Sequence, residues 1–281
     1  MIGDRPQSPT GVGFGLRSEL WRELTQTTRH VDWLEFVPEN YVDHGGWRRA
    51  ELEYARARWP LVAHGVSVSV GGPDPLDEPY LIALKRLLDL VGAEYYSDHL
   101  CWTSAGGHHF HDLLPLPFTE EAVAHCVARA RRVSEILQRP LVLENITYYA
   151  TMPTSELSEG EFVSAVIRQS GSYLLLDVNN AYVNAKNHGV APLSALMSLP
   201  LERTRQIHLA GHEPDEHGVL LDRHGSPVAD EVWSLYHEAI RRVGNVPVLI
   251  EWDNDIPPLD RVLNEVETAR SFQRAALTEA I

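Results

Sequence analysis

YLLLDVNN, residues 173–180, is an apolar run that ends on an acid, Asp177. A strand buried on both faces reads as continuous Val, Ile and Leu. A carboxylate at its tip needs a partner once water is excluded. The same pattern recurs five times along the chain: LVAHG carries His64, YYSDHL His99, LVLENI Glu144, QIHLAG His208 and VLIEWD Glu251. Imidazole and carboxylate side chains share one kind of partner, a metal ion. Six strands ending this way predict a polynuclear metal site at one end of a barrel.

Working outward, strand-like runs lie at 11–16, 32–37, 60–70, 94–100, 139–146, 173–180, 205–211 and 247–253. Helical spacing of apolar residues marks 18–30, 79–92, 119–138, 158–170 and 228–244, with a last helix over 259–277. Thr119 ahead of Glu120 and Glu121, and Ser158 ahead of Glu159 and Glu161, are helix-start signals. Eight strands alternating with helices predict an α/β fold of the (β/α)8 TIM-barrel type, in which strand C-terminal ends carry the site. With no Pro/Ser/Gly-rich linker, residues 1–281 are expected to form a single barrel domain. An open doubly wound sheet would want a Gly-rich phosphate loop after its first strand, and GVGFGL lacks the G-x-G-x-x-G spacing.

Composition narrows the function. The 281 residues carry a formal net charge of -15 and no Lys/Arg run, which argues against nucleic acid as a partner. Two cysteines, Cys101 and Cys126, make no disulfide framework, so a cytoplasmic location is expected. MIGDRPQSPT at the N-terminus is no signal peptide, and no apolar run reaches membrane-spanning length.

The donor set lacks thiolates and suits Fe, Mn, Zn or Cu. Glu144 has two oxygens and could bridge two ions; His64 and His99 could flank one of them, and Asp177, His208 and Glu251 could complete the other. Asn180 lies three residues past Asp177, and Asp222 and His224 alternate around Arg223, so these three could chelate a third ion. Asp98 and Asn145 are neighbours suited to orienting the ligands. Asp253, two residues beyond Glu251, is expected as a base near the metals or as a further orienting hydrogen bond. Glu35, Glu39 and Asn40 in EFVPENY face the same mouth and fit substrate contact, support of the metal ligands, or loop capping. His108, His109 and His111 in GGHHFHD read as a solvated or substrate-contacting loop after a Gly-Gly turn.

The segments WLEFVPENY, AHGVSVSVGG, SDHLCW, HDLLPLPFT, LVLENITYY, LLLDVNNAYVNAKNHG, IHLAGH, LDRHGSPV and LIEWDNDIP occur in this order from about Gly11 to Arg270. In them the chain resembles the multinuclear non-haem iron-dependent oxidative enzymes. The resemblance implies a barrel related to xylose isomerase and endonuclease IV, with two or three irons in a mixed Fe(II)/Fe(III) state that activate O2. It implies a ribosomally made precursor peptide as substrate, modified at Cys or at a C-terminal Asp or Asn, and a small leader-binding partner protein. By motif, it implies His64, His99 and Glu144 for one iron, Glu144, Asp177, His208 and Glu251 for the second, and Asn180, Asp222 and His224 for the third. A homodimer is left open. The competing reading is a zinc- or manganese-dependent barrel hydrolase or sugar isomerase, and the third is a binding module stapled by metal. An isomerase would lean on a pocket lysine, and the chain holds only Lys85 and Lys186.

Overall fold

The structure, a computed structural model, describes residues 9–279; most of the N-terminal segment read above for a secretion signal lies outside the described residues. Eight strands close into a barrel: β1 (Val12–Gly15), β2 (Leu34–Phe36), β3 (Leu61–His64), β4 (Tyr96–His99), β5 (Leu141–Glu144), β6 (Tyr173–Asp177), β7 (Thr204–Leu209) and β8 (Val248–Ile250). Each pairs in parallel with the next, and β8 pairs with β1. Helices between the strands cover the outside. No helix among the described residues is long and apolar enough to cross a membrane.

Local chemistry sets the helix ends. Thr119 caps Glu120–Leu137 by accepting from Ala122 N. Ser158 and Glu161 form a reciprocal capping box at Glu159–Ser170. Gly92 and Gly171 close their helices with φ of 74° and 80°, a conformation that suits glycine.

Three expectations change. The helix expected over 18–30 is a 3-10 turn, Ser18–Leu20, and one α turn, Trp21–Leu24. Thr25 and Thr27 then turn their hydroxyls onto local backbone, which competes with helix. The run 173–180 is a strand only to Asp177; Val178–Asn187 is helix with no intervening loop. The loop expected around GGHHFHD is an antiparallel ribbon, Trp102–Ala105 with His108–Leu114.

Trp33, Val62, Tyr95, Val142, Leu175 and Leu249 form a buried cluster separate from the larger core between barrel and helices. They come from six different strand regions and plug the barrel interior. Two residues further along, on the same face, stand Glu35, His64, Glu144, Asp177 and Glu251. Gly13 makes room for the plug: a Cβ there would lie 2.5 Å from the Trp33 ring and 2.6 Å from its carbonyl oxygen. Gly13→Ala is therefore expected to destabilise the fold by about 1–3 kcal/mol through overpacking. Urea unfolding measures this, and an unchanged midpoint would remove Trp33 from the role of plug.

Candidate metal centre

The strand ends bring their polar groups to one point. His64 Nε2 lies 3.2 Å from His99 Nε2 and 3.1 Å from Glu144 Oε2, and His99 Nε2 lies 3.5 Å from that oxygen. Atoms bound at about 2.0–2.2 Å to one ion stand roughly 3–3.5 Å from one another, so this triplet has the spacing of a ligand set. On the far side, His208 Nδ1 is 3.0 Å from Glu251 Oε2 and 3.9 Å from Glu144 Oε2. The same Glu144 oxygen thus faces both groups, while its Oε1 accepts from Asn180 Nδ2 at 3.3 Å. Among the described residues, three further triplets lie within metal-binding reach: Glu144, Asp177 and His208; Asp177, His224 and Glu251; and Glu35, His208 and Glu251.

Glu144 Oε2, Asp177 Oδ2, His208 Nδ1, His224 Nε2 and Glu251 Oε2 are buried and lack a well-aligned hydrogen-bond partner among the described residues, although His208 Nδ1 and Glu251 Oε2 lie 3.0 Å apart. Buried polar atoms are rarely left so. The ligand atoms of each triplet lie within 4.8 Å of one another, as donors around a cation do.

The electrostatics agree. Burial opposes charge on His64, but Glu35 and then Glu144 outweigh it and push its pKa to about 9. Burial is likewise overcome by Glu35 and Glu251 at His208, and by Asp222 and Glu251 at His224; both are raised well above the usual imidazole range. Burial raises carboxylates, yet the surrounding histidines hold Glu144 low and Glu251 far lower. Asp177 goes the other way: burial, then Glu144 and Asp222, lift it well above the carboxylate range. Without an added cation, protons on the imidazoles do the neutralising.

The surroundings orient the donors. His208 turns Nε2 toward Glu35 Oε2 (3.3 Å) and Gln206 Nε2 (2.8 Å), which leaves Nδ1 for the centre. Tyr95 donates to Gln206 at 2.7 Å and Gln206 to Glu35 at 2.6 Å, so a polar ladder rises through the barrel. His64 fixes Nδ1 on the Ser97 hydroxyl at 3.0 Å. Asp177 Oδ1 accepts from Asn180 N and caps Val178–Asn187.

Other expected residues fall in several places. Asn145 brackets the backbone of Asp177, donating to its carbonyl at 2.9 Å and accepting from its N–H at 3.0 Å. Asp98 accepts from the Tyr96 hydroxyl and from the backbone of His99 and Val68, and its carboxylate stays 4.0 Å from His99 Nδ1. Asn180 lines the cleft, with Oδ1 accepting from the Thr147 hydroxyl. Asp222 Oδ1 lies 2.6 Å from His224 Nε2 and accepts from Asn179. Asp253 has both oxygens engaged, one by Arg17 and one by His224 Nδ1 at 3.0 Å. Glu39 caps the loop after β3, accepting from Val66 N and the Tyr80 hydroxyl, and does not line the cleft; neither does the exposed Asn40. His109 and His111 reach the cleft wall from the ribbon.

Glu35 lines the cleft, as its place in EFVPENY predicts, and turns Oε2 to His208 Nε2 at 3.3 Å. Sequence reading missed Gln206, whose signal is its place two residues before His208 on one strand face. Arg17 had none.

Above the centre opens a cleft of about 670 Å³. Neither lysine lines it; Lys85 pairs with Asp89 at 2.8 Å on an outer helix. Both cysteines are free and buried.

A family described as RiPP precursor modification enzyme MbnB/TglH/ChrH matches residues 11–274. A UPF0276 protein of Anaeromyxobacter sp. (strain Fw109-5) is 47% identical over 267 residues, covering 95% of this chain and 94% of its own. One of Acaryochloris marina (strain MBIC 11017) is 43% identical over 262 residues, covering 93% and 94%. Among solved structures, D-psicose 3-epimerase in the presence of D-fructose superposes with a TM-score of 0.63 at 11% identity, over 95% of this chain and 99% of that one. A xylose isomerase-like TIM barrel protein from Mycobacterium smegmatis in complex with magnesium gives 0.55 at 13% identity, over 92% and 88%. These likenesses show the fold, a xylose isomerase-like TIM barrel.

The raised histidines set a pH signature for the metal-free protein. A group whose pKa is higher folded than unfolded stabilises fully below its unfolded value, and that contribution is lost as pH rises through the folded one. For His64 the window runs from 6.5 to about 9. Asp177, also raised, acts with the same sign; the lowered Glu144 and Glu251 change stability only at acid pH. Metal-free protein should lose on the order of 3 kcal/mol across this window from His64 alone. Urea titrations from pH 6.5 to 9 check it, and a flat profile would refute the charge assignment.

Proposed function

This chain belongs to the RiPP precursor modification enzyme family MbnB/TglH/ChrH, and on that premise we propose that it is an O2-dependent, multinuclear non-haem iron oxidase of a precursor peptide, acting at Cys or at a C-terminal Asp or Asn. The observation that carries the metal part is the convergence of unpartnered, buried imidazole and carboxylate atoms on shared points. The resemblance of the motifs supports iron and O2 over other metals.

His64, His99 and Glu144 would hold one iron. Glu144, Asp177, His208 and Glu251 would hold the second, with the single oxygen Glu144 Oε2 facing both. His224, with Asp222 and Asn180, would hold the third, where Asp177 and Glu251 also come within reach. When bound, the irons supply one-electron chemistry toward O2 and a Lewis-acid position for the substrate residue. The chain's own residues do the rest. Glu35 and Gln206 keep His208 turned so that Nδ1 faces inward. Asp253, expected as a base, fits a positioning role better, because Arg17 and His224 occupy both of its oxygens. The barrel plug closes the inner end, so substrate enters from the cleft.

The reading also expects a small leader-binding partner protein. Sugar isomerisation is less well supported, since no lysine lines the cleft.

Two substitutions test the assignment. Glu144→Gln removes the charge shared by two positions and should cost at least one iron per chain, with loss of peptide-dependent O2 uptake; full metal content and full uptake would sink the bridging role. Glu35→Gln keeps the nine ligands assigned above but loosens His208, beside which Glu35 itself stands within metal-binding reach, and should weaken metal affinity by roughly 10–100-fold. Metal titration monitors this, and unchanged affinity would place Glu35 outside the support of the centre. Anaerobically purified protein that takes up zinc irreplaceably and consumes no O2 with peptide would favour the hydrolase or isomerase reading.

A further inference from the structure

We infer that the ribbon Trp102–Leu114 is a docking edge on which an extended segment of the substrate peptide adds as a third strand, leading it down to the metal centre. The inference rests on the peptide reading above and names how that peptide is held.

The ribbon is built to stay open. Its longer strand, His108–Leu114, is exposed over His108–Asp112 and has no neighbour beyond Trp102–Ala105 among the described residues. Proteins usually blunt a free edge with lysine, proline, a bulge or a covering element. WTSAGGHHFHDLL has no lysine and no proline, and its bulge begins only at Phe110. The stretch ahead of the bulge is a free edge, a template for pairing that peptide capture by strand addition uses.

The ribbon is also held rigid. Gly106 and Gly107, with φ of 59° and 76°, make a two-residue turn whose N–H groups both donate to Asp74, at 2.9 Å each. Arg129 grips the Asp74 carbonyl at 2.7 Å and the carbonyls of Val70 and Ser69. Trp102 donates to Pro115 O and meets Phe110 edge-on at 5.5 Å. A pre-organised edge loses little entropy when a peptide lands on it.

Its position makes the edge specific to this cleft. Between the pairs Trp102–Leu114 and Ser104–His109, one residue, Thr103, faces four on the other strand, Phe110 to Leu113. This bulge, with His111 at φ 52°, turns His111, Asp112 and Leu113 onto the cleft wall. A strand laid along His108–Phe110 therefore runs into the space above the centre.

The two-residue turn fixes which groups are free. Ala105 and His108 flank it as the bonded pair, so at the next pair, Ser104 and His109, the backbone groups of His109 point outward. His109→Pro deletes one outward donor and leaves the ribbon's own bonds intact; His109→Ala keeps the donor and removes the side chain.

The probe is a linear 12-residue peptide selected from a random display library on the full-length, iron-loaded chain, with binding read by fluorescence anisotropy, amide exchange and O2 uptake. The expected result is binding weakened roughly tenfold or more by His109→Pro and less than about threefold by His109→Ala, with peptide protecting amides 108–113. Equal weakening by both variants assigns the effect to the imidazole and overturns the docking edge. A peptide that drives O2 uptake and binds His109→Pro as tightly as wild type also overturns it, and leaves peptide oxidation standing. Failure of the wild-type chain to bind any selected peptide overturns both.

Discussion

The structure depends on one electrostatic constraint: charged and ionisable groups packed into the end of a barrel with too few partners. Glu35, Glu144, Asp177 and Glu251 are buried beside His64, His99, His208 and His224. Burying an ion costs several kcal/mol unless something nearby neutralises it. Protons on three histidines neutralise part of the charge, but burial, then Glu144 and Asp222, still lift Asp177 well above the carboxylate range. Like charges held this close repel one another. A bound cation would relieve that repulsion, so metal binding and stability of this end of the barrel would be one property.

The barrel makes this arrangement by a simple rule. On four of the strands the side chain pointing inward at one level is apolar, and the one two residues later is a donor. Val62 precedes His64, Val142 precedes Glu144, Leu175 precedes Asp177 and Leu249 precedes Glu251. The plug keeps solvent from the inner side, so the donors meet water only through the cleft. Register then sets neighbours: His99 pairs with Glu144 and Asp177 with His208 across adjacent strands. The distances at the centre follow from strand register more than from loop conformation, which suits the proposed site of several ions at fixed separations.

The strand ends are legible in the sequence because a buried parallel strand tolerates almost no polar residue, so each exception stands out. The eight runs, and with them the barrel, are read from the same contrast. What escapes is whatever lies off that contrast. Arg17 reaches Asp253 from the other end of the chain, through a contact that spacing cannot foretell. The helix Val178–Asn187 is rich in asparagine, a weak helix former, and its signal is only Val178, Ala181, Tyr182 and Ala185 at helical spacing. The ribbon hides because exposed histidines around Gly-Gly read equally well as a loop.

The missed helix changes how the centre is understood. Asp177 is at once the last residue of β6 and the N-cap of the helix: Oδ1 takes the Asn180 N–H and Oδ2 faces the centre. A carboxylate at a helix N-terminus is favoured by the exposed N–H groups there, yet burial and Glu144 still drive Asp177 toward protonation. Protonation would weaken the cap; a bound cation would keep the carboxylate charged and strengthen it. The same helix carries Asn180 toward Glu144, and Asn184, whose side chain donates to Ile146 O and accepts from Tyr148 N just beyond β5. Filling the centre therefore tightens the junction of two strands and a helix through one side chain. The proposed second and third metal positions meet at that residue, so their occupancies should be coupled through Asp177 as well as through the shared Glu144.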